Sequence, residues 1–447
     1  MLRDARGYPV ANATPAALQA YERGLHAFQT YRGDPVKPLD EAIALAPGFG
    51  AAYAAKALVF AAFMERRFMR AAAEALEAGR DALACATPRE QGLATAARRL
   101  VAGAWHDGTR AVDDVLVEHP RDILALQLAH LLDFYRGDSL NLRNRVSRVL
   151  PAWSPAVPGY AYVLGMHAFG YEEMNQYAEA ERAGRRAVEL SGDDSWAVHA
   201  VAHVMEMQGR IGAGLAWYEQ TRPVWAGEDN GFAYHNAWHM ALYHLDRGET
   251  APALAIFDAR LASGGETALS RVDATALLWR LKLEGADVAT RFATIADAWE
   301  RALQDEGGFY AFNDFHAALA FAATGRREAL EGLRGAMLQA AALPGANAEM
   351  TRLVAREACE AALDYCEGRY EAAAQRLAAV RDGANRFGGS HAQRDLLTLT
   401  LVDAATRAGR TRLALHYANE RLVHKPASDW GRRLAARAQA RDARLAA

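Results

Sequence analysis

The stretch SWAVHAVAHVMEMQGR, residues 195–210, places His199 and His203 four residues apart, with Glu206 three further on. The stretch AYHNAWHMALYHLDRGE repeats the pattern with His235 and His239. On a helix, at about 100° per residue, His199, His203 and Glu206 fall within about 60° of one another and His235 and His239 about 40° apart. Two imidazoles at this spacing can share one metal ion. Zincins carry a Glu directly after the first His, where this chain has Ala200 and Asn236, so neither pair is that motif. Di-iron bundles use Glu-x-x-His, and the order here is His-x-x-Glu. His199, His203, His235 and His239 are therefore candidate ligands for a divalent transition metal, Zn, Fe or Mn.

The same groups suit acid–base chemistry near neutral pH. His203, Glu206, His239 and His316 are the catalytic candidates. Glu206 is placed to orient His203, and Asp273 or Asp314 to orient His316. The chain has no G-x-S-x-G elbow and no cysteine near the cluster. It has no G-x-G-x-x-G and no P-loop, which removes dinucleotide and nucleotide readings.

What must position these residues is a set of helices. Alanine and leucine dominate, with apolar residues at three- and four-residue spacing and no alternating Val/Ile/Thr runs. A glycine closes one helix and a second begins at once, at Gly137, Gly170, Gly209, Gly248, Gly285, Gly325, Gly368 and Gly409. The gaps are 33, 39, 39, 37, 40, 43 and 41 residues. Helix pairs at this period are the signature of a tetratricopeptide-type array, in which first helices line the concave side and second helices face outward. The expected fold is all-α, a right-handed α-solenoid of about nine TPR-like helix pairs. It forms one domain over 1–447, with central repeats over 160–325 and capping helices over 410–447.

The histidines of both pairs, Asp273, Asn313 and His316 all lie on first helices. His199 and His203 precede Gly209 by 10 and 6 residues, and His235 and His239 precede Gly248 by 13 and 9. Asp273 precedes Gly285 by 12, and Asn313 and His316 precede Gly325 by 12 and 9. Trp196 and Trp238 stand beside them as walls. Burying this many polar groups without partners would cost about 1–3 kcal/mol each, so they must bond to one another, to water, to a metal or to a ligand.

At FGYEEMNQYAEAE, DSWAVHAVAHVMEMQGRIGAGLAW, HNAWHMALYHLDRGETAPALAIFD and FNDFHAALA the chain resembles the tetratricopeptide repeat protein 38 family. The resemblance runs nearly the whole length and is most specific from Glu173 to His316. The matching positions are Glu173, Asn175, His199, His203, Glu206, His235, Asn236, His239, Asn313, Asp314 and His316; His167 falls outside the pattern. The resemblance implies an all-helical repeat protein whose biochemical role is mostly unassigned. With Trp196, Trp238 and Asp273, these residues make up the expected ligand-binding set for a small polar molecule. The alternative is a non-catalytic scaffold holding a protein or peptide in its concave groove.

Composition narrows the classes further. Acidic and basic residues are interspersed at a net charge of −3, unlike a nucleic-acid surface. No apolar run approaches the roughly 20 residues of a membrane helix, and MLRDARGYPVANATP lacks a signal-peptide core, so a cytoplasmic protein is expected. Cys85, Cys359 and Cys366 form neither a disulfide framework nor a zinc spacing. Cys359 and Cys366 share one helix face as core residues. The Arg-rich tail GRRLAARAQARDARLAA is expected to be a solvated last helix.

Overall fold

The computed structural model describes residues 1–446. It is all-α apart from a two-residue hairpin pairing Leu2–Arg3 with Pro9–Val10. Seven of the eight marking glycines take the left-handed conformation that closes a helix, with φ from 64° to 84°. The eighth corrects the sequence reading. Gly170 lies inside the helix Tyr160–Glu173, and the turn falls five residues later at Asn175, whose φ is 60°. Asn is the residue other than Gly that most readily adopts this conformation. Gly170 answers a different need: a Cβ there would meet the Leu142 carbonyl oxygen at 2.5 Å.

The chain divides into two compact units, 1–201 with 222–233, and 202–221 with 234–447. In the first, helix pairs follow in order: Pro15–Thr30 with Val36–Leu45, Gly50–Ala61 with Arg66–Ala78, Pro88–Val101 with Trp105–Glu118, Ile123–Tyr135 with Ser139–Val149, and Tyr160–Glu173 with Tyr177–Ser191. In the second, Ala268–Leu283 pairs with Ala289–Glu306, Ala311–Thr324 with Arg327–Ala341, Arg356–Cys366 with Tyr370–Val380, and His391–Arg407 with Thr411–His424. The helix Asp429–Ala446 closes the series.

Burial separates the two kinds of helix. The first helices Ala268–Leu283 and Ala311–Thr324 are buried nearly all round. The second helix Tyr177–Ser191 buries only Ala180, Gly184 and Ala187, one stripe of small residues. First helices are thus enclosed, which is why polar side chains placed on them leave water.

In the second unit the first helices also pack on each other. Ala268–Leu283 lies against His391–Arg407, with Trp279 Nε1 donating to Thr400 Oγ1 at 2.9 Å. Cys359 is core, as expected, and burial raises its thiol pKa well above the ordinary value. The last helix is less solvated than its composition suggests. Trp430, Leu434 and Ala438 are buried, and Arg433 donates to the carbonyls of Leu245 and Asp246. Among the described residues no helix is long and apolar enough to cross a membrane.

Candidate functional site

The candidates divide between the units. His203, Glu206, His235, Asn236, Trp238, His239, Asp273, Asn313, Asp314 and His316 belong to the second; Glu173, Asn175, Trp196 and His199 belong to the first.

In the second unit the helix Ala233–Asp246 carries His235, Trp238 and His239 on its first two turns. His235 Nδ1 lies 2.6 Å from Asp273 Oδ2, and His239 Nδ1 lies 3.2 Å from Glu206 Oε2. The two imidazole centroids are 4.9 Å apart, and His203 sits 4.4 Å from His239. Trp238 stacks on His235 at 5.5 Å and meets the His239 ring edge-on at 4.7 Å. All of these side chains are buried. A carboxylate at Nδ1 fixes an imidazole's tautomer and orientation, leaving Nε2 as its basic nitrogen. Two such dyads place two oriented rings 4.9 Å apart and nearly perpendicular.

Charge compensation comes from far along the chain. Glu206 Oε1 accepts a 2.5 Å bond from Lys425 Nζ, which also lies 3.6 Å from Asp395 Oδ2. Arg421 donates to Asp395 at 2.9 and 2.8 Å. Arg280 lies fully buried over the Trp238 ring and donates to the carbonyls of Ala276 and Ala392. Glu206, Arg280, Asp395, Arg421, Lys425 and Trp430 surround a cavity of about 10 Å³, room for one water.

Burial would raise the Glu206 carboxyl, but Lys425 and His203 outweigh it and hold the pKa below the ordinary value. Asp395 is likewise pulled down to about 2 by Arg421 and Lys425, against its burial. Burial, reinforced by His203 and His235, drives His239 well below the usual imidazole range. Burial lowers Arg280 to about 10, with Asp395 and Glu206 opposing it. The second unit thus holds ionised carboxylates beside neutral His239, the form in which imidazole binds metals or accepts protons.

Two expected pairings change. Glu206 Oε2 meets His239 Nδ1, with His203 adjoining. Asp273 orients His235 and not His316, whose Nδ1 donates to the Phe312 carbonyl at 2.8 Å. Asp314 caps a turn, accepting from Gly308 N at 3.0 Å. His316 sits among Phe312 and Phe315, and burial lowers its pKa to about 3. The sequence reading missed Arg280, Asp395, Arg421 and Lys425. Arg280 had a visible signal, a charge inside the apolar run LLWRLKL.

In the first unit, Asn175 is exposed at its turn and accepts from Tyr177 Oη at 2.8 Å; Glu173 is buried. Trp196 and His199 sit in an aromatic cluster, with Phe169, Phe232 and Trp196 all within 5.5 Å of the His199 ring. Phe232 is held there by the segment 222–233. That segment returns to the end of the first helix, where Gly231 N donates to Tyr31 O at 2.7 Å and Arg32 Nη2 to Val224 O at 2.8 Å.

Just before this cluster, Asp194 caps the helix Ser195–Met207 by accepting from Ala197 N at 2.9 Å. Burial raises the Asp194 carboxyl to about 7, with Asp193 adding to the rise and the cap bond opposing it. A folded-state pKa above the unfolded value of about 3.9 is a stability penalty. The penalty is complete above pH 7 and is relieved as pH falls from 7 toward 4. At about 1.4 kcal/mol per unit its upper bound is about 4 kcal/mol, from which loss of a charged cap subtracts about 1. Asp194→Asn keeps a capping oxygen and should stabilise the protein by about 1–3 kcal/mol at pH 8 and by nothing at pH 4. Urea unfolding of parent and variant at both pH values checks this; equal effects at the two would sink it.

No family model matches the chain. It is similar to the crystal structure of the APC/C hetero-tetramer Cut9–Hcn1, with a TM-score of 0.41 and 14% identity over 94% of this chain and 76% of that one. The repeat assignment rests on this chain's own helix pairs and left-handed glycines.

Proposed function

We propose that the second unit binds a divalent transition metal, Zn, Fe or Mn, through His235 and His239, and through it a small polar ligand on which the site acts. The observation that carries this is the pair of histidine–carboxylate dyads, His235–Asp273 and His239–Glu206, with rings 4.9 Å apart. Metal-ligating histidines almost always give their other nitrogen to a carboxylate, a carbonyl or water. His203 adds a third imidazole, 4.4 Å from His239, and Trp238 walls the site. The second reading is a scaffold that holds a protein or peptide partner. On its sequence motifs we also place the chain with the tetratricopeptide repeat protein 38 family.

The test is elemental analysis of protein expressed with supplementary Zn, Fe and Mn. About one equivalent of one metal is expected, with His235→Ala and His239→Ala each losing most of it. Asp273→Asn should weaken affinity about 10–100-fold while leaving a fold that still binds. Less than about a tenth of an equivalent of any transition metal, or full occupancy in both alanine variants, would reject the metal site.

A further inference from the structure

In the first unit the segment 222–233 lies on the end of the helix Pro15–Thr30 as a bound peptide would. Arg32 and Asn230 form an antiparallel bridge, in which Gly231 N donates to Tyr31 O at 2.7 Å and Gly33 N to Asp229 O at 2.8 Å. The Arg32 side chain donates to the carbonyls of Pro223 and Val224 at 3.1 and 2.8 Å, and it lies 3.6 Å from Asp229 Oδ1. Phe232 is the anchor. Its ring stacks on Tyr31 at 5.0 Å and 28°, meets Trp196 at 5.3 Å and stands edge-on to His199 at 5.3 Å. Main-chain pairing beside a slot for one side chain is how extended peptides are recognised: the pairing gives affinity and the slot gives specificity.

The receiving edge carries strain. Tyr31 holds a left-handed backbone, φ 57°, at the turn after its helix, where the chain uses glycine at Gly137, Gly209 and Gly248. Glycine would make the turn without strain, but it would remove the face on which Phe232 stacks. The strap itself is lightly held. Between Trp225 and Ala233 only Asn230 is buried; Glu228, Asp229 and Gly231 are exposed and Phe232 is half-buried. Asn230 bonds within the strap, accepting from Phe232 N at 2.8 Å and donating to Val224 O at 3.4 Å. Segments with so few buried contacts open at low free energy. The sequence of the strap states what the edge accepts: an acid for Arg32 at Asp229, and an aromatic ring three residues on at Phe232.

We propose that the 31–33 edge is a docking site for an extended peptide of a partner protein, with an acidic residue three positions before an aromatic one, and that the strap 222–233 occupies this edge until the partner displaces it. The proposal does not depend on the metal site.

The experiment is fluorescence anisotropy of a labelled hexapeptide, Glu-Asp-Asn-Gly-Phe-Ala, the sequence of residues 228–233, on the full chain. A double variant, Asp229→Ala with Phe232→Ala, has a strap without either recognition side chain and should bind the peptide saturably. The parent should bind at least about tenfold more weakly, because its own strap competes at an effective concentration on the order of millimolar. A peptide with alanine in place of its phenylalanine should lose affinity, and so should Arg32→Ala added to the double variant. Hydrogen exchange on the parent gives a second measurement that needs no variant to fold. At millimolar peptide the Gly231 N–H should exchange faster, while the Gly33 N–H, now donating to the peptide, stays protected. No saturable binding by the folded double variant would overturn the proposal. So would equal affinity for parent and double variant, equal affinity for the two peptides, or unchanged exchange at Gly231. Dimers that form by exchange of straps, with no peptide binding, would show that a second copy takes the edge and would overturn it too.

Discussion

Lys425→Met should destabilise the protein by about 3–5 kcal/mol, the cost of leaving a buried carboxylate without its cation. Lys425 ends the Thr411–His424 helix, and its backbone N–H bonds to the Arg421 carbonyl in any case, so methionine keeps both the local structure and the length of the chain. What is lost is the 2.5 Å bond from Nζ to Glu206, in a site where both side chains are more than nine-tenths buried. Asp395 keeps Arg421 and should suffer little. Glu206 keeps its hydrogen bond to His239, which burial holds neutral and which therefore cannot replace the ammonium without taking up a proton.

The double variant separates this account from simple loss of packing. With Glu206→Gln also present no buried charge is stranded, and most of the loss should return, giving a coupling energy of about 2–3 kcal/mol. Urea unfolding of parent, both single variants and the double variant measures it. If the double variant is as unstable as the sum of the singles, the pair contributes no coupling and the network around Glu206 is not what holds the last turns of the chain in place. The same set bears on the metal site, because Glu206 orients His239: Glu206→Gln should lower metal affinity while Lys425→Met, which leaves that carboxylate in place, should lower it less.

How much of this was legible in the sequence follows from how local each signal is. A left-handed turn needs one residue of the right type, so Gly209, Gly248 and Gly325 announced their turns and fixed the helix pairs around them. Position within a repeat is nearly as local. It put His235 and Asp273 on first helices of successive units, and those residues do meet. Pairing across long separations leaves no such trace. Nothing near Lys425 says that it reaches Glu206, 219 residues earlier in the chain. The swap of partners among Glu206, His239 and His203 has the same origin. Helical phase gives the face a side chain occupies, but the neighbour it bonds depends on ångström-scale packing that phase does not carry. Burial was legible only as a pattern. That first helices would be enclosed on every side, leaving Arg280 at 1% exposure, comes from the contact of Ala268–Leu283 with His391–Arg407, which no period predicts.

Gly170 shows where a local signal misleads, and it carries the second large effect. As a helix terminator it would tolerate little; as a mid-helix residue, intrinsic propensity says that Gly170→Ala should stabilise by about 0.8–1 kcal/mol. Packing says the reverse. The new Cβ would stand 2.5 Å from the Leu142 carbonyl oxygen, 2.6 Å from its carbon and 2.7 Å from the Arg143 Cα. These are backbone atoms of the neighbouring Ser139–Val149 helix, so no rotamer change can make room and the two helices must separate. Overpacking of this kind costs about 1–3 kcal/mol, more where the backbone must shift. The steric cost exceeds the propensity gain, and a net loss of about 1–3 kcal/mol is expected. Gly335→Ala is the control. Gly335 lies inside the Arg327–Ala341 helix, and its added Cβ would meet nothing within 4 Å, so propensity acts alone and the variant should gain about 0.5–1 kcal/mol. Opposite signs for the two substitutions in urea unfolding would establish that Gly170 is there for the closeness of two helices. Stabilisation by both would return it to the role of an ordinary weak spot in a helix.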